Sequence, residues 1–314
     1  MTDDRIPNPE YRAALSFLYS FVDYERNSKW KYDVSHFDLK RMRSLLKALG
    51  NPNEHGWFVH VAGTNGKGSV SAMIASALRE SGLKTGLYTS PHLITFRERI
   101  RVDGLLISPE EVIAGVNRLR GPAEKVGGLT FFDVWTALAF DHFARREVDA
   151  AVIEVGMGGR LDSTNVIIPA VSVITPISLD HRGKLGETPA DIAAEKAGII
   201  KPGIPVVSAP QDEDVAAVLR EKAKDAGSEM LMVGCEVGYE KMNGGIRYHG
   251  PRWELDSVRI PLRGSFQHDN AAAALAACSA AIFSLILNSR YLPWSARNRS
   301  SRPTIPGARE NLPT

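Results

Sequence analysis

Continuous apolar runs alternate with stretches of helical periodicity along most of the chain. The runs are short and lie at residues 58–62, 85–89, 150–155, 171–175 and 205–208. Between them, apolar residues recur every three or four positions, as in a helix that packs on one face. Strands that are apolar throughout and separated by helices are typical of a mainly parallel sheet with both faces covered. The pattern therefore predicts an α/β fold.

Helical periodicity also marks both ends of this region. Residues 11–49 are predicted to be helical, because apolar residues fall on one face at Leu39, Met42, Leu45, Leu46 and Leu49. A stop signal follows, with Gly50 and then Pro52. Near the other end, residues 271–287 are mostly alanine with serines among them. That composition falls short of a membrane-spanning helix and predicts a buried one.

Three segments break the alternation of strands and helices. Residues 90–104 are dense in arginine, and we expect neither a strand nor a helix of their own there. Residues 230–262 alternate polar and apolar positions between glycine-containing breaks, which predicts a small antiparallel hairpin subregion. Residues 288–314 combine arginine, serine and proline with little periodicity and are expected to form an aberrant or disordered tail. The predicted organisation is one domain over 1–287, with a helical lead at 1–56, followed by the tail.

Composition narrows the class of protein. The 314 residues carry a formal net charge of +2 with mixed signs, which argues against a nucleic-acid-binding surface. The two cysteines, Cys235 and Cys278, give neither a disulfide framework nor a metal-binding spacing, and we expect both to be reduced. The first residues lack the basic-then-apolar order of a signal peptide. We therefore expect a cytoplasmic protein that binds neither nucleic acid nor a membrane.

A glycine-rich loop follows the first predicted strand and precedes a helix, with the sequence Gly63-Thr64-Asn65-Gly66-Lys67-Gly68-Ser69. Its glycines let backbone N–H groups turn inward, Lys67 adds a positive charge, and the helix N-terminus adds its dipole. These features predict a phosphate-binding loop. The general Walker pattern is broken, because Val61 stands at its first glycine and Gly68 follows the lysine in place of Ser or Thr. The alternative is a glycine-rich turn without a ligand.

Polar residues follow other predicted strands at their carboxyl ends, where parallel sheets bind ligands. We expect Ser90, Glu154 and His181 to converge there with the glycine loop. A buried glutamate needs a cation or hydrogen-bond donors, and a phosphate-associated Mg²⁺ would suit Glu154, with the other two as further ligands. Nearby arginines, among them Arg97, can face an anionic substrate. The alternatives are an ordinary Ser-Pro-His turn, a solvated arginine run and a structural histidine.

Lys196 lies within the helix that is predicted at 189–200, among small apolar residues. A lysine near a metal-binding crevice can lose its proton and react with CO₂ to give a carbamate. That reaction converts a cation into an oxygen ligand for Mg²⁺. The alternative is a solvated lysine that pairs with a neighbouring acid.

Several further motifs appear in the order that one known family has them. They are Phe37-Asp38-Leu39, Arg41-Met42, Leu49-Gly50-Asn51-Pro52, Ser90-Pro91-His92-Leu93, the run from Glu154 to Asn165, Leu179-Asp180-His181, Leu185-Gly186 and Glu195-Lys196-Ala197-Gly198-Ile199. Together with the glycine loop they resemble folylpolyglutamate synthase/dihydrofolate synthase, the folate branch of the Mur ligase superfamily. The resemblance covers residues 11 to about 280.

The resemblance implies a Mur-ligase-like P-loop domain that binds ATP. The phosphates would contact residues 63–69, and Asn270 would contact the adenine side. Lys67, Lys196 and His181 would act in catalysis.

The same resemblance implies a metal site and a substrate site. Mg²⁺ would be held by Ser90, Glu154, His181 and Lys196, the last as a carboxylated lysine. Substrate would contact Arg97 and the pteroate-binding segment Thr130-Phe131-Phe132-Asp133. Two positions depart from the family pattern, since Asp133 replaces the more usual glutamate and Phe266 stands where many members have histidine.

The implied reaction is ATP-dependent ligation of L-glutamate to dihydropteroate or folate polyglutamates through an acyl phosphate, by a protein expected to be a monomer. The family continues into a C-terminal Rossmann-like domain whose Asp-Gly-Ala-His-Asn-Pro motif has no match here. We therefore expect that domain to be largely missing through truncation or frameshift, with weak ATP binding and little ligation. The alternatives are a non-catalytic nucleotide-binding remnant and, less in keeping with the short lead before Gly63, a cell-wall Mur ligase.

Overall fold

An eight-stranded sheet forms the centre of the molecule. The structure is a computed structural model that describes residues 8–22, 38–179 and 185–287. The strands are β1 (Trp57–Ala62), β2 (Thr85–Tyr88), β3 (Ile100–Val102), β4 (Leu105–Leu106), β5 (Ala150–Glu154), β6 (Val171–Ile174), β7 (Val206–Ser208) and β8 (Met230–Met232). Their order is β4-β3-β2-β5-β1-β6-β7-β8, and the neighbours from β2 to β8 run parallel. The predicted α/β class with a mainly parallel sheet is confirmed.

Helices pack on both faces of this sheet. In chain order they are α1 (Pro9–Tyr19), α2 (Leu39–Ala48), α3 (Lys67–Glu80), α4 (Pro109–Val126), α5 (Phe131–Arg145), α6 (Pro189–Lys196), α7 (Glu213–Asp225) and α8 (Phe266–Leu287). Capping boxes begin several of them. Ser108 caps α4 and Thr188 caps α6, each with an acidic residue three positions later that bonds back to the cap.

The two faces of β1 contribute to two different cores. Phe58 packs with α1, α2, α4 and α5, whereas Val59 and Val61 pack with α3 and α8. Successive side chains of a strand point to opposite faces, so a strand that is covered on both sides is apolar throughout. His60 is the polar exception in β1. Its Nε2 lies 2.8 Å from the hydroxyl of Thr164, beyond the end of β5.

A second, three-stranded antiparallel sheet consists of β9 (Gly238–Met242), β10 (Gly245–His249) and β11 (Glu254–Arg259). This confirms the predicted hairpin subregion over 238–259. Met230–Met232, at the start of the predicted subregion, instead forms β8 and pairs with β7 in the main sheet. The difference arises because β8 is only three residues long, which is too short to show a period.

The alanine-rich helix α8 packs on α3, β6 and β7. By length and composition alone its residues 266–286 could cross a membrane, with a mean hydropathy of 1.5, but 67% of the most apolar window is buried inside the protein. Ala273, Ala276 and Ala280 are completely buried. The prediction of a buried helix is therefore confirmed.

The expectation that residues 90–104 form no strand or helix is wrong. A 3-10 helix covers Phe96–Arg99, and β3 and β4 follow it. Ile100 and Val102 are buried and pair with β2, while Arg101 lies between them on the other face. This two-residue alternation is a strand signal that the dense arginines obscured.

The helical lead is also divided. α1 ends at Tyr19, where the hydroxyl of Ser20 donates to the carbonyl of Phe17. α2 begins after Asp38, whose side chain caps it, and it ends just before Gly50, which has a φ of +85° as a glycine stop requires. The segment between these helices, 23–37, lies outside the described residues, as do residues 1–7 and the predicted tail at 288–314.

Candidate active site

The glycine loop at 63–69, the phosphate loop below, connects the carboxyl end of β1 to the first turn of α3. Gly63 has a φ of +148°, and a Cβ at this position would lie 1.8 Å from the Thr175 hydroxyl and 2.9 Å from its carbonyl. Gly66, at a φ of +84°, turns the chain into α3. The N–H groups of the first turn of α3 have no acceptors within the helix and point toward the loop. Such a turn can bind phosphate.

Thr64 and Asn65 attach the phosphate loop to the segment after β6. Their backbone N–H groups donate to the carbonyl of Pro176, at 3.0 and 3.2 Å. Their side chains reach Ser178, the hydroxyl of Thr64 donating to its carbonyl and the amide of Asn65 to its hydroxyl. The N–H groups that remain for a ligand are therefore those at the start of α3, around Lys67.

Lys67 folds back over the loop from which it starts. Its Nζ donates to the carbonyls of Gly63 and Thr64, both at 3.1 Å. The ammonium group thus lies on the loop, where bound phosphates would meet it. A Cβ on Gly68 would be 3.8 Å from Oε2 of Glu154, so the loop passes directly beside that carboxylate.

Glu154 and Ser90 meet where β5 and β2 end. Glu154 is 3% exposed, and its Oε2 accepts a hydrogen bond from the N–H of Ser90 at 3.2 Å. Burial raises the pKa of Glu154 to about 7, although the positive charges of Lys67 and Arg99 oppose the rise. A buried carboxylate with a single donor among the described residues suits a bound cation. Its oxygens and the hydroxyl of Ser90 are the ligand type that Mg²⁺ prefers.

His181, the third predicted metal ligand, lies outside the described residues, as does Asp180. Within the ranges that the structure describes, no three His, Cys, Asp or Glu side chains group as a metal site. Among the described residues, Ser90 is the predicted metal ligand that contacts Glu154.

Lys196 extends to the phosphate loop from the other side. It is 4% exposed, and its Nζ donates to the carbonyl of Gly63 at 2.8 Å. The neighbouring acid Glu195 pairs with Arg160 instead, at 2.7 Å. The alternative of a solvated lysine paired with its neighbour is therefore wrong. Lys196 is also the last residue of α6 rather than a mid-helix residue, because a 3-10 turn follows at Ala197–Ile199.

Arg99 is a residue of this site that the sequence analysis did not single out. It is 2% exposed, its Nε donates to Nδ1 of His92 at 3.0 Å, and its charge acts on Glu154. Arg97, the predicted arginine, donates its Nε to the carbonyl of Ile107 at 2.7 Å. The run of arginines at 97–101 was the available signal, but only the pairing of β3 with β2 shows which arginine is buried beside the carboxylate.

The segment Thr130-Phe131-Phe132-Asp133 has mainly structural contacts. Thr130 and Asp133 cap the start of α5 through each other's side chains and backbones. Phe131 lies in the core, and Phe132 places its ring over Gly156 at the end of β5, where a Cβ would be 2.5 Å from the ring. Of the four residues, Phe132 is therefore the one beside the crevice.

Asn270, on α8, lies against the phosphate loop. It is 2% exposed, its Nδ2 donates to Gln267 at 2.9 Å, and its Oδ1 would be 2.7 Å from a Cβ on Gly66. A side chain at Gly66 would collide with this amide. The predicted nucleotide-binding residues of the loop and Asn270 are thus brought together.

Asp162 is a second residue that the sequence analysis assigned no role, although it lies within the quoted run from Glu154 to Asn165. Its Oδ2 accepts hydrogen bonds from the N–H groups of Gly156 and Met157, both at 3.0 Å, and its Oδ1 accepts from Thr164. Burial raises the pKa of Asp162 to about 6, against the effect of these donors. The carboxylate fixes the turn that follows β5.

Comparison with known proteins agrees with this geometry. Residues 61–278 match the family model described as the Mur ligase middle domain, which is more than half of the chain. The chain belongs to the Mur ligase family. Within this family it is similar to folylpolyglutamate synthase of Lacticaseibacillus casei, with 43% identity over 276 residues, which are 84% of this chain and 62% of that protein. Dihydrofolate synthase/folylpolyglutamate synthase of Bacillus subtilis (strain 168) is 40% identical over 272 residues, which are 82% of this chain and 63% of that protein.

Solved structures of this branch of the Mur ligase family have the same fold. A complex of folylpolyglutamate synthase (FPGS) with AMPPCP and folate matches with a TM-score of 0.77 at 37% identity. The match covers 88% of this chain and 68% of that one. Folylpolyglutamate synthase of Mycobacterium tuberculosis complexed with ADP matches with a TM-score of 0.76 at 34% identity, covering 87% and 62%. The predicted membership of the folate branch is confirmed. The chain spans less than two thirds of the length of the two curated relatives above.

Proposed function

We propose that this chain carries the nucleotide-binding site of an ATP-dependent ligase that adds L-glutamate to dihydropteroate or to folate polyglutamates. The observation that supports this most strongly is that Lys67 and Lys196 both donate to the carbonyl of Gly63, while Glu154 lies beside Gly68 in the same loop. The names of the relatives supply the substrate class, since they are folylpolyglutamate and dihydrofolate synthases.

The first chemical step joins the substrate carboxylate to the γ-phosphate of ATP. A carboxylate oxygen attacks the γ-phosphorus, the bond to the β–γ bridging oxygen breaks, and ADP leaves with that electron pair. The product is an acyl phosphate. Lys67 and the N–H groups at the start of α3 hold the phosphates and neutralise charge, which is the main contribution a protein makes to phosphoryl transfer.

The second step forms the amide. The amine of glutamate attacks the acyl carbonyl, phosphate leaves, and the amine gives up a proton. Phe132, beside Gly156, is proposed to contact the pteroate part of the substrate. Arg97 and Asn270 keep their proposed roles toward substrate and adenine. Positioning of the two reactants supplies much of the rate in such a reaction.

Mg²⁺ fits beside the phosphates in this scheme. Glu154 and Ser90 would hold it, with His181 as a further proposed ligand. When bound, the ion neutralises charge on the β- and γ-phosphates. The charge of Arg99 lowers the pKa of Glu154 and so favours the ionised carboxylate, against the larger effect of burial.

We further propose that Lys196 is carboxylated. Its neutral amine attacks the carbon of CO₂, an N–C bond forms, one C=O electron pair becomes the carboxylate charge, and a proton leaves to solvent. The carbamate nitrogen keeps one hydrogen, so the bond to the carbonyl of Gly63 can persist. The buried position of Lys196 beside the phosphate loop supports this role.

The test is ADP release together with mass spectrometry of the glutamylated product. Dihydropteroate or a folate, with glutamate, should stimulate ADP release by the parent chain only weakly, because little ligation is expected of it. Lys67→Ala should keep the fold, because the lysine lies on the loop and outside the core, and should weaken ATP binding roughly 10- to 150-fold through loss of a charged hydrogen bond. Nucleotide binding without substrate-stimulated turnover would favour the non-catalytic alternative, and unchanged ATP affinity in Lys67→Ala would contradict the phosphate-loop assignment.

A further inference from the structure

The turn at 156–165, which follows β5, encloses the end of α6 that carries Lys196. The backbone N–H of Arg160 donates to the carbonyl of Glu195 at 2.9 Å, one residue before Lys196. The side chain of Asn165 reaches Gly198, two residues after it, at 3.1 Å. The turn therefore holds the chain on both sides of the lysine.

The side-chain amide of Asn165 bonds both to the 156–165 turn and to the segment that follows α6. Its Nδ2 donates both to the carbonyl of Arg160, at 3.0 Å, and to the carbonyl of Gly198. Its Oδ1 accepts from Nζ of Lys201 at 2.6 Å. Asn165 is 5% exposed, so little water competes for these bonds.

Two glycines allow the backbones to approach this closely. A Cβ on Gly159 would lie 2.8 Å from the carbonyl of Glu195 and 2.9 Å from that of Lys196. A Cβ on Gly198 would lie 2.4 Å from Cβ of Arg160. Contacts below 3.0 Å with backbone cannot be accommodated without movement, so any side chain here would push the turn and the end of α6 apart.

The end of a helix needs such support. The last carbonyls of α6 have no partner within the helix, and helix ends fray. Lys196 is the last residue of α6 and must still present its Nζ to Gly63, a residue that lies 133 positions earlier in the chain. Satisfying the carbonyl of Gly198 fixes the turn that follows the lysine.

We infer that Asn165 is a positioning residue for Lys196. Through its two donated bonds it sets the end of α6 at the distance from which Lys196 reaches the phosphate loop. The importance of Asn165 for catalysis rests on the function proposed above for Lys196. Its effect on the position of Lys196 is independent of that function.

Two variants separate the donated bonds from the accepted one. Asn165→Asp has nearly the same shape and still accepts from Lys201, but it cannot donate to the carbonyls of Arg160 and Gly198. Lys201→Met, the matched control, removes the accepted bond and leaves the two donated bonds in place. Both variants are first compared with the parent by thermal unfolding.

The position of Lys196 is then measured by acylation of the folded proteins with an amine-reactive ester in CO₂-depleted buffer, with peptide mass spectrometry. Loss of two buried hydrogen bonds in Asn165→Asp should open the helix end and speed modification of Lys196 about tenfold. The rate in Lys201→Met should match the parent. The new carboxylate would raise the pKa of a nearby lysine and slow acylation, so faster modification cannot arise from its charge.

An unchanged Lys196 rate in Asn165→Asp, or an equal increase in Lys201→Met, would overturn the inference. If Asn165→Asp does not fold, Gly159→Ala tests the same contact, because it keeps every side-chain bond and pushes on the end of α6. It should also speed modification of Lys196, and an unchanged rate would overturn the inference as well. Absence of ligation by the parent would count against the proposed function alone, since the acylation rates do not depend on turnover.

Discussion

Two glycine-rich turns lie at the carboxyl edge of the sheet, and they need glycine for partly different reasons. In the phosphate loop, Gly63 and Gly66 have positive φ angles that other residues rarely adopt. In the 156–165 turn, Gly159 allows close approach to the carbonyls of Glu195 and Lys196. The positive φ is a local requirement, although a Cβ on Gly63 or Gly66 would also collide with Thr175 or Asn270. The requirement at Gly159 comes from a helix more than thirty residues away, which only the folded structure brings near.

This contrast explains what each turn contributes to the proposed site. The phosphate loop supplies groups that would touch the ligand, namely Lys67 and the first N–H groups of α3. The 156–165 turn supplies supports, since Asp162 holds its backbone and Asn165 holds the end of α6. The strand that leads into the phosphate loop, β1, contacts the 156–165 turn through His60 and Thr164.

The largest expected effect is at Gly63. Gly63→Ala would place a methyl group against Thr175 in a backbone conformation that favours glycine, so we expect a loss of about 3 kcal/mol in the free energy of unfolding. ATP binding should fall below detection, because the loop must move. Urea unfolding and calorimetric titration measure both.

Gly121→Ala is the control for this change. Gly121 is exposed in α4, and beyond its chain neighbours a Cβ there meets no atom within 4 Å. Stability should change by less than about 1 kcal/mol, because the usual gain from alanine in a helix is opposed by contact with the ring of Pro122. Equal stabilities of the two variants would contradict the reason given for Gly63.

The contact between β1 and the 156–165 turn should be visible in the pH dependence of stability. Complete burial lowers the pKa of His60 to about 3 from 6.5, so the folded protein holds this imidazole neutral. The stability that it contributes is present above pH 6.5 and is lost as the pH falls from there toward 3. Between pH 7 and pH 5 the parent should therefore lose about 2 kcal/mol through this residue.

His60→Gln keeps a side chain that can bond to Thr164 but has no proton to gain. Its free energy of unfolding should fall less than that of the parent over the same pH interval. Urea denaturation at both pH values decides the point. A parallel decrease in the two proteins would show that His60 is not the group responsible.

The smallest effect is expected at Arg160. Its side chain pairs with Glu195, but the arginine is 49% exposed, and exposed ion pairs contribute little. Arg160→Met should therefore change stability by less than about 0.5 kcal/mol and leave acylation of Lys196 unchanged. The bonds that matter in this turn are those of its backbone and of Asn165. A large increase in Lys196 modification in Arg160→Met would assign the support to the ion pair instead.

The parallel sheet and the phosphate loop could be predicted from the sequence because their signals are local. Apolar runs predict buried strands, and a strand, a glycine loop and a helix in succession predict a phosphate-binding loop. Glu154 could be placed for a similar reason, since it ends a buried strand. His181 remains a prediction, because it lies outside the described residues.

The other features of the site depend on tertiary contacts, so they could not be predicted from the sequence. Arg99 and Arg97 are two positions apart in the same run, and only the antiparallel pairing of β2 with β3 buries the first beside Glu154. Thr130 and Asp133 were associated with substrate, whereas their spacing also suits the capping box that they form. The role of Asn165 depends on contacts with α6, which no pattern in one segment reveals.

Glu154 and the phosphate loop are proposed to form one Mg²⁺–nucleotide site. The most direct test is calorimetric titration of a non-hydrolysable ATP analogue, with and without Mg²⁺, into the parent and Glu154→Gln. Mg²⁺ should tighten binding to the parent at least about tenfold, and the uncharged variant should lose that gain while it keeps the metal-free affinity. An equal gain from Mg²⁺ in both proteins would show that Glu154 does not hold the ion.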